Sequence, residues 1–196
     1  MRLHLIRHGQ THWNAIRRVQ GHSESELNEN GQQQALSLSS TLDSLPLGAV
    51  YCSSSRRTRQ TAELLFARRQ LPTVYLDSLR EIYLGPWEGR LYDEIQQEDA
   101  EQFHNFWHAP HQFRVEGAES YHELQQRGVA AIKDICAAND HGEIAVVSHG
   151  ALIKSVLTHF ERKPLERLWD PPLMHNCSHS ILELDGDGDG HILKYA

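Results

Sequence analysis

Two stretches decide the fold: Leu3-His-Leu-Ile-Arg-His-Gly9 near the start, and Glu143-Ile-Ala-Val-Val-Ser-His-Gly150 far along the chain. Each is a short apolar run closed by a glycine, the pattern of a buried strand. Glu143 to Val147 is the clearer of the two, and Leu3 to Ile6 reads as its counterpart. Both runs end in the same kind of tripeptide, Arg7-His8-Gly9 and Ser148-His149-Gly150, where glycine lets the backbone turn sharply or approach a ligand closely. In open parallel sheets ligands sit at the carboxyl ends of strands, so the two histidines are expected to face one crevice.

Outward from these strands, apolar periods of two and of about 3.6 alternate. Residues 29–45 place Ala35, Leu36, Leu38 and Leu42 near helical spacing, with Pro46 and Gly48 as the stop. Residues 49–52 read as a strand, 56–69 as a helix and 74–76 as a third strand. Ser120 and Glu123 form an S-x-x-E capping box at the start of a helix whose apolar face is Leu124, Val129, Ile132 and Ile135. A further helix is expected over 151–160, then a hairpin of 180–184 and 192–195 across the Asp-Gly turns. The aromatic, polar stretch 84–117 reads as an inserted set of helices and loops over the crevice. This alternation predicts an α/β three-layer sandwich, its central sheet mostly parallel and helices on both faces. No repeat or linker interrupts it, so 1–196 is read as a single domain.

Composition excludes several function classes. The 196 residues carry a formal net charge of −7, which argues against a nucleic-acid partner. No apolar run approaches the roughly 18 residues of a membrane span, and His4 and Arg7 interrupt the N-terminal run, so neither a membrane partner nor a signal peptide is expected. Cys52, Cys136 and Cys177 are odd in number and widely spaced, which points away from disulfides or a cysteine zinc site and toward a reducing cytoplasm. Arginine supplies 15 of the 19 basic residues, and arginine suits bidentate recognition of phosphate or carboxylate. Arg56, Arg57 and Arg59 open a helix that follows a strand, a position that favours anions; two of the three are expected on a solvated face.

Other patterns carry the blander reading. Asp185-Gly-Asp-Gly-Asp-Gly190 mimics the start of a calcium loop, but the twelfth position, where glutamate belongs, is Ala196, so it reads as a polar turn. His104, His108 and His111 do not make a metalloprotease motif, and no metal is assigned to them. Phe103, Phe106 and Trp107 are read as packing the insertion rather than covering the crevice.

Leu5-Ile-Arg-His-Gly-Gln-Thr-His-Trp-Asn14 resembles the signature of the histidine phosphatase superfamily, which includes the cofactor-dependent phosphoglycerate mutases. Four further blocks follow in order: Val19-Gln20-Gly21 with Leu27 and Gly31; Ser53 with Arg57, Thr61 and Ala62; Leu79-Arg80-Glu81 with Gly85, Trp87, Glu88 and Gly89; and Val147 to Gly150. The resemblance implies a phosphoglycerate mutase-like fold and His8 as the nucleophile that becomes a phosphohistidine. It also implies Arg7, Arg57 and a protonated His149 as the clamp on the phosphoryl group, and Glu81 as proton donor. Thr11, Asn14, Gln20, Gly21 and Gly150 are implied as substrate-binding positions. The physics suits these roles, because phosphoryl transfer depends on positioning and on stabilising charge over three equatorial oxygens. A neighbouring phosphate favours the protonated Glu81 that donates to the leaving oxygen, and the ionised form then activates water. No metal or cofactor is implied.

Within the superfamily, mutases carry extra basic residues after the acid block. Here Arg114 is the single arginine or lysine between Tyr92 and Val115, so water is the expected acceptor. The chain further resembles bacterial α-ribazole-5′-phosphate phosphatases of cobalamin synthesis at Arg69 to Pro72, Gln97 to Glu101, Glu116-Gly117 and Trp169. The partner implied is a small phosphate ester, with a homodimer left open. A broad-specificity phosphatase, a mutase with an unusual clamp and a non-catalytic phospho-ligand binder are the alternatives. The last conflicts with the retention of all five motif residues.

Overall fold

A computed structural model describes residues 1–139, 142–185 and 188–195. Six strands form one sheet: β1 (Arg2–Arg7), β2 (Leu47–Ser53), β3 (Thr73–Leu76), β4 (Glu143–Ser148), β5 (His179–Leu184) and β6 (Gly190–Lys194), in the order β3-β2-β4-β1-β5-β6. The β3–β2, β2–β4 and β4–β1 pairings are parallel, while β5 lies antiparallel to β1 and β6 antiparallel to β5. The expected sheet is therefore present, with an antiparallel hairpin completing one edge. Gly186 and Asp187 of the expected Asp-Gly turn, and Ala196, lie outside the described residues.

Period-two alternation builds one core on each face of the sheet. Leu3, Leu5, Ile144 and Val146 point to one side, where they meet Leu124, Ile132, Leu152 and Val156 of α6 (Tyr121–Ala137) and α7 (Gly150–Phe160). Ile6, Val50, Cys52, Ala145 and Val147 point to the other, against Ala35 and Leu42 of α2 (Glu29–Leu42) and Ala62 and Leu65 of α3 (Arg56–Leu65). Burying such side chains contributes about 1.5–3 kcal/mol each, which fixes both layers on the sheet. The α6 capping box forms as expected, Ser120 and Glu123 each satisfying the other's backbone amide. His4 departs from the apolar pattern. Fully buried, it bonds Glu143 through Nε2 and His179 through Nδ1, each at 2.8 Å, so its polar atoms are satisfied across three adjacent strands.

Some boundaries differ. Helix α2 stops at Leu42, three residues early, and α3 stops at Leu65 rather than Arg69. Arg69 instead turns back to donate to the carbonyls of Leu42 and Leu47, closing the bottom of that layer. A four-residue helix, α1 (His12–Ala15), has no apolar period and is made by its cap: Thr11 and Asn14 exchange hydrogen bonds as a capping box. The 84–117 stretch contains α4 (Tyr92–Glu98), α5 (Ala100–His108) and two single 3₁₀ turns, Gly85–Trp87 and Pro110–Gln112. Among the described residues no helix is long and apolar enough to cross a membrane.

Candidate active site

Four chain segments converge at the carboxyl ends of the parallel strands. Strand β1 delivers Arg7 and His8, and β4 delivers His149 and, at the first turn of α7, Gly150. Strand β2 ends at Ser53 and leads into α3 with Arg57, while β3 leads through the turn Asp77–Leu79 to Glu81. His8 and His149 meet edge to face with ring centroids 5.3 Å apart. The shared crevice expected from two x-His-Gly strand ends is there, because β1 and β4 are hydrogen-bonded neighbours with Arg7 opposite Ser148.

The tautomer of His8 is set by its own loop. Nδ1 lies 2.7 Å from the Gly9 carbonyl, which can only accept, so Nδ1 carries the proton and Nε2 keeps its lone pair. Burial together with the positive charges of Arg57 and Arg7 holds the imidazole pKa well below the usual 6.5. A neutral ring with one free nitrogen is the nucleophilic form. The carbonyl of His8 is tied in turn by Asn176 Nδ2 at 3.1 Å and the Cys177 amide at 3.2 Å.

The guanidiniums of fully buried Arg57 and half-buried Arg7 share the cleft with His8 and make no carboxylate ion pair among the described residues. Arg57 is fully buried and, among the described residues, donates to the carbonyls of Ser23 (3.0 Å) and Gly21 (2.8 Å) alone; burial draws its pKa down to about 10. Arg7 donates to the Met174 carbonyl, and the Nε atoms of both arginines have no hydrogen-bond partner among the described residues. Gly150 makes room for Arg7, since a Cβ there would lie 3.3 Å from Nε. Charges buried without a counter-charge are costly. The arrangement is a seat for an anion.

The Glu81 carboxylate faces the start of α7. It accepts from the amides of Ile82 (3.0 Å), Ala151 (3.1 Å) and Leu152 (3.1 Å). Its backbone carbonyl is held by His22 Nε2 at 2.9 Å and Arg127 Nη2 at 3.1 Å. Glu88 fastens this loop to the one that supplies Arg57 with its carbonyls, accepting from the amides of His22 and Leu84 and from the Ser23 hydroxyl.

Arg7, His8, Asn14, Gln20, Gly21, Arg57, Glu81 and Gly150 line one cleft of about 410 Å³. Thr11 does not. Its fully buried hydroxyl serves the α1 cap and donates to Gln20 Oε1 at 3.0 Å, so it positions Asn14 and Gln20 from behind. His149 also differs from the protonated clamp expected of it. Full burial and the charges of Arg57, His8 and Arg7 hold its pKa well below 6.5, so it is neutral in the free site. Ser53 Oγ lies 2.8 Å from its Nε2, and its Nδ1 is buried without a partner. Of the three helix-opening arginines, Arg56 and Arg59 are exposed, pairing with Glu26 and covering the Tyr75 ring. Among the described residues no group of three His, Cys, Asp or Glu is placed to hold a metal ion; His104 and His108 stack on each other, and His111 faces Glu166.

The cleft has a second half that sequence reasoning missed. Ile82, Leu84, Tyr92, Phe106, Trp107 and Trp169 wall it. Phe106 and Trp107 thus do more than pack the insertion, because contacts among Tyr92, Phe106, Trp107 and Trp169 turn one side of the aromatic cluster toward the cleft. Burial and the nearby Glu81 charge raise the Tyr92 hydroxyl pKa to about 12, keeping it neutral. Arg17 and Arg18 line the cleft too. Their adjacency just beyond the first motif was the one visible signal.

Residues 3–195 match the family model of the histidine phosphatase superfamily (branch 1). The solved structure of YhfR from Bacillus stearothermophilus is 40% identical, with a TM-score of 0.95, covering 98% of this chain and 95% of that one. The adenosylcobalamin/alpha-ribazole phosphatase of Escherichia coli (strain K12) is 30% identical over 184 residues, 92% of this chain and 89% of that protein. The "Probable phosphoglycerate mutase GpmB" of Salmonella choleraesuis (strain SC-B67) is 32% identical over 150 residues, 76% of this chain and 70% of that protein.

Proposed function

The chain belongs to branch 1 of the histidine phosphatase superfamily, and from that premise we propose that it hydrolyses small phosphate monoesters through a phosphohistidine on His8. The observation that carries this reading is the free Nε2 of a neutral His8, set among two guanidiniums that have no carboxylate ion pair. His8 Nε2 attacks phosphorus, the N–P bond forms and the bond to the ester oxygen breaks. Glu81, in its acid form, gives its proton to the departing alkoxide. Ionised again, Glu81 takes a proton from water, whose oxygen attacks phosphorus and releases His8 and inorganic phosphate.

Arg7 and Arg57 spread the charge of the three equatorial oxygens, where preorganised donors are worth roughly 10²–10³ in rate each. With Ser53 donating to Nε2, His149 keeps its Nδ1 proton for a phosphoryl oxygen. Water is the acceptor in this reading. Arg114, the single arginine or lysine of residues 92–115, is absent from the cleft lining, so that stretch supplies no arginine or lysine to retain a phosphorylated intermediate.

The aromatic wall favours an ester whose alcohol carries a flat apolar group. α-Ribazole-5′-phosphate, the substrate class named for the Escherichia coli relative, is the specific candidate. The whole chain acts as one domain, and its three free cysteines suit a reducing cytoplasm.

The test is phosphate release in EDTA from α-ribazole-5′-phosphate, 3-phosphoglycerate, sugar phosphates and phenyl phosphate, by wild type and His8→Ala. Metal-independent release lost in the variant, with an acid-labile phosphoenzyme trapped in wild type alone, supports the proposal. Equal release by both proteins removes His8 as nucleophile.

A further inference from the structure

The cleft holds more positive charge than one phosphoryl group uses. Its lining includes four arginines, Arg7, Arg17, Arg18 and Arg57, against a single carboxylate, Glu81, in a chain whose formal net charge is −7. Arg57 is buried and Arg7 half-buried beside His8, whereas Arg17 and Arg18 follow the end of α1. A local excess of one sign inside a cleft concentrates ligands of the opposite sign.

Arg17 is held in a conformation that arginine seldom takes. Its φ is +56°, the left-handed region where a helix normally ends on glycine or asparagine. Hydrogen bonds on both sides enforce it: its amide donates to the Asn14 carbonyl at 3.2 Å, and its carbonyl accepts from the Tyr92 amide at 3.0 Å. Strained non-glycine residues at a cleft are a recurrent mark of function. Arg18 is fixed differently, donating to the Gly89 carbonyl with its guanidinium carbon 5.7 Å from the centre of the Trp13 ring. Among the described residues Arg17 makes one ion pair, with Asp93 at 3.5 Å, and both side chains are about two-thirds exposed or more, at 67% and 71%. Pairs this exposed contribute little and yield to a better-placed anion.

Resting on the phosphatase reading above, we propose that Arg17, supported by Arg18, forms a second anion subsite, so that of two phosphate monoesters alike in their apolar group the site favours the one whose alcohol also carries a negative group, a carboxylate or a second phosphate. The phosphoryl group occupies the Arg7–Arg57 end, the body of the alcohol lies along the aromatic wall, and the distal charge meets Arg17. This makes Arg17 a specificity-determining residue.

Matched esters test it: phenyl phosphate and 4-carboxyphenyl phosphate, which differ only by the distal carboxylate. Wild type is expected to favour the carboxylate by about tenfold in kcat/KM, the size of one charge-assisted contact. Arg17→Gly suits the left-handed backbone, so it removes the guanidinium without straining the fold. It is expected to raise KM for 4-carboxyphenyl phosphate by about tenfold while costing phenyl phosphate less than about threefold. Arg17→Lys is expected to restore part of the preference. Equal rates on both esters in wild type, or a preference that survives in Arg17→Gly, overturns the subsite and leaves the phosphatase reading standing. Failure of wild type to release phosphate from either ester overturns both.

Discussion

Changing Gly31 to alanine puts one methyl group where the backbone already is. Gly31 is the third residue of α2, and a Cβ built there lies 2.0 Å from the Gln10 carbonyl oxygen, 2.7 Å from its amide nitrogen and 2.9 Å from its carbonyl carbon. Real Cβ atoms keep at least 3.0 Å, so the oxygen contact alone demands a separation of at least 1.0 Å, the difference between 3.0 and 2.0. Neither side is free to give. Gln10 is pinned by Gln34 Oε1 at 3.0 Å and by the Asn28 amide at 3.0 Å, and Gly9 by Thr61 Oγ1 at 3.1 Å. Overpacking of this kind costs about 1–3 kcal/mol, and the better helix propensity of alanine returns at most about 1. Unfolding in urea is expected to show a net loss of about 1–2 kcal/mol. The larger effect is on function, because Gln10 stands two residues after His8 and a displacement of about 1 Å costs roughly 10²-fold in a positioned reaction. The assay is kcat/KM on phenyl phosphate beside the urea midpoint, with Gln33→Ala, exposed on the same helix, as control. A variant within about threefold of wild type in kcat/KM, at an unchanged midpoint, refutes the claim that α2 sets the position of the His8 loop.

Lys154→Met removes an almost fully buried ammonium that donates to the carbonyls of Asp170 (2.6 Å) and Pro172 (2.9 Å) and lies 4.6 Å from the Tyr195 ring centre. Losing charge-assisted bonds of about 1.5–3 kcal/mol each, partly offset by the relieved desolvation, is expected to lower stability by roughly 2 kcal/mol in urea unfolding. Arg57→Lys keeps a charge but not the fork that bonds Ser23 and Gly21; we expect a folded protein with phosphoenzyme formation slowed about 10²-fold or more in rapid-quench experiments. His8 and His149 are held well below 6.5 by burial and the arginines, and His179 is pushed down to about 4. The unfolded chain takes up protons from about pH 6.5 downward while these folded imidazoles do not, so stability is intact above that pH and falls toward about pH 4. Urea midpoints at pH 8, 6.5, 5 and 4 check this, and a flat profile from 8 to 5 would contradict it.

The sequence by itself determined whatever depends on neighbours along the chain. The alternating segment Leu3 to Ile6 and the continuous apolar run Ile144 to Val147 placed the two central strands, and the tripeptides after them placed His8 and His149 at one sheet end. The Ser120–Glu123 cap marked the start of α6, and the ordered motif blocks named Arg7, Arg57 and Glu81. Tertiary structure alone decided the properties that depend on what surrounds a group. Charge states belong here: His149 is neutral because burial and Arg57 act on it through space, which no local pattern records. So does the role of Thr11, whose hydroxyl is spent on Asn14 and Gln20 instead of facing the cleft. The aromatic wall needed Tyr92 and Trp169, distant in sequence, to meet around Trp107. Arg17 needed the Tyr92 amide to fix its backbone beside the cleft. Periodicity and caps are short-range and leave a trace in order along the chain, whereas desolvation and Coulomb terms act over ångströms in space and become defined only when the chain has closed on itself.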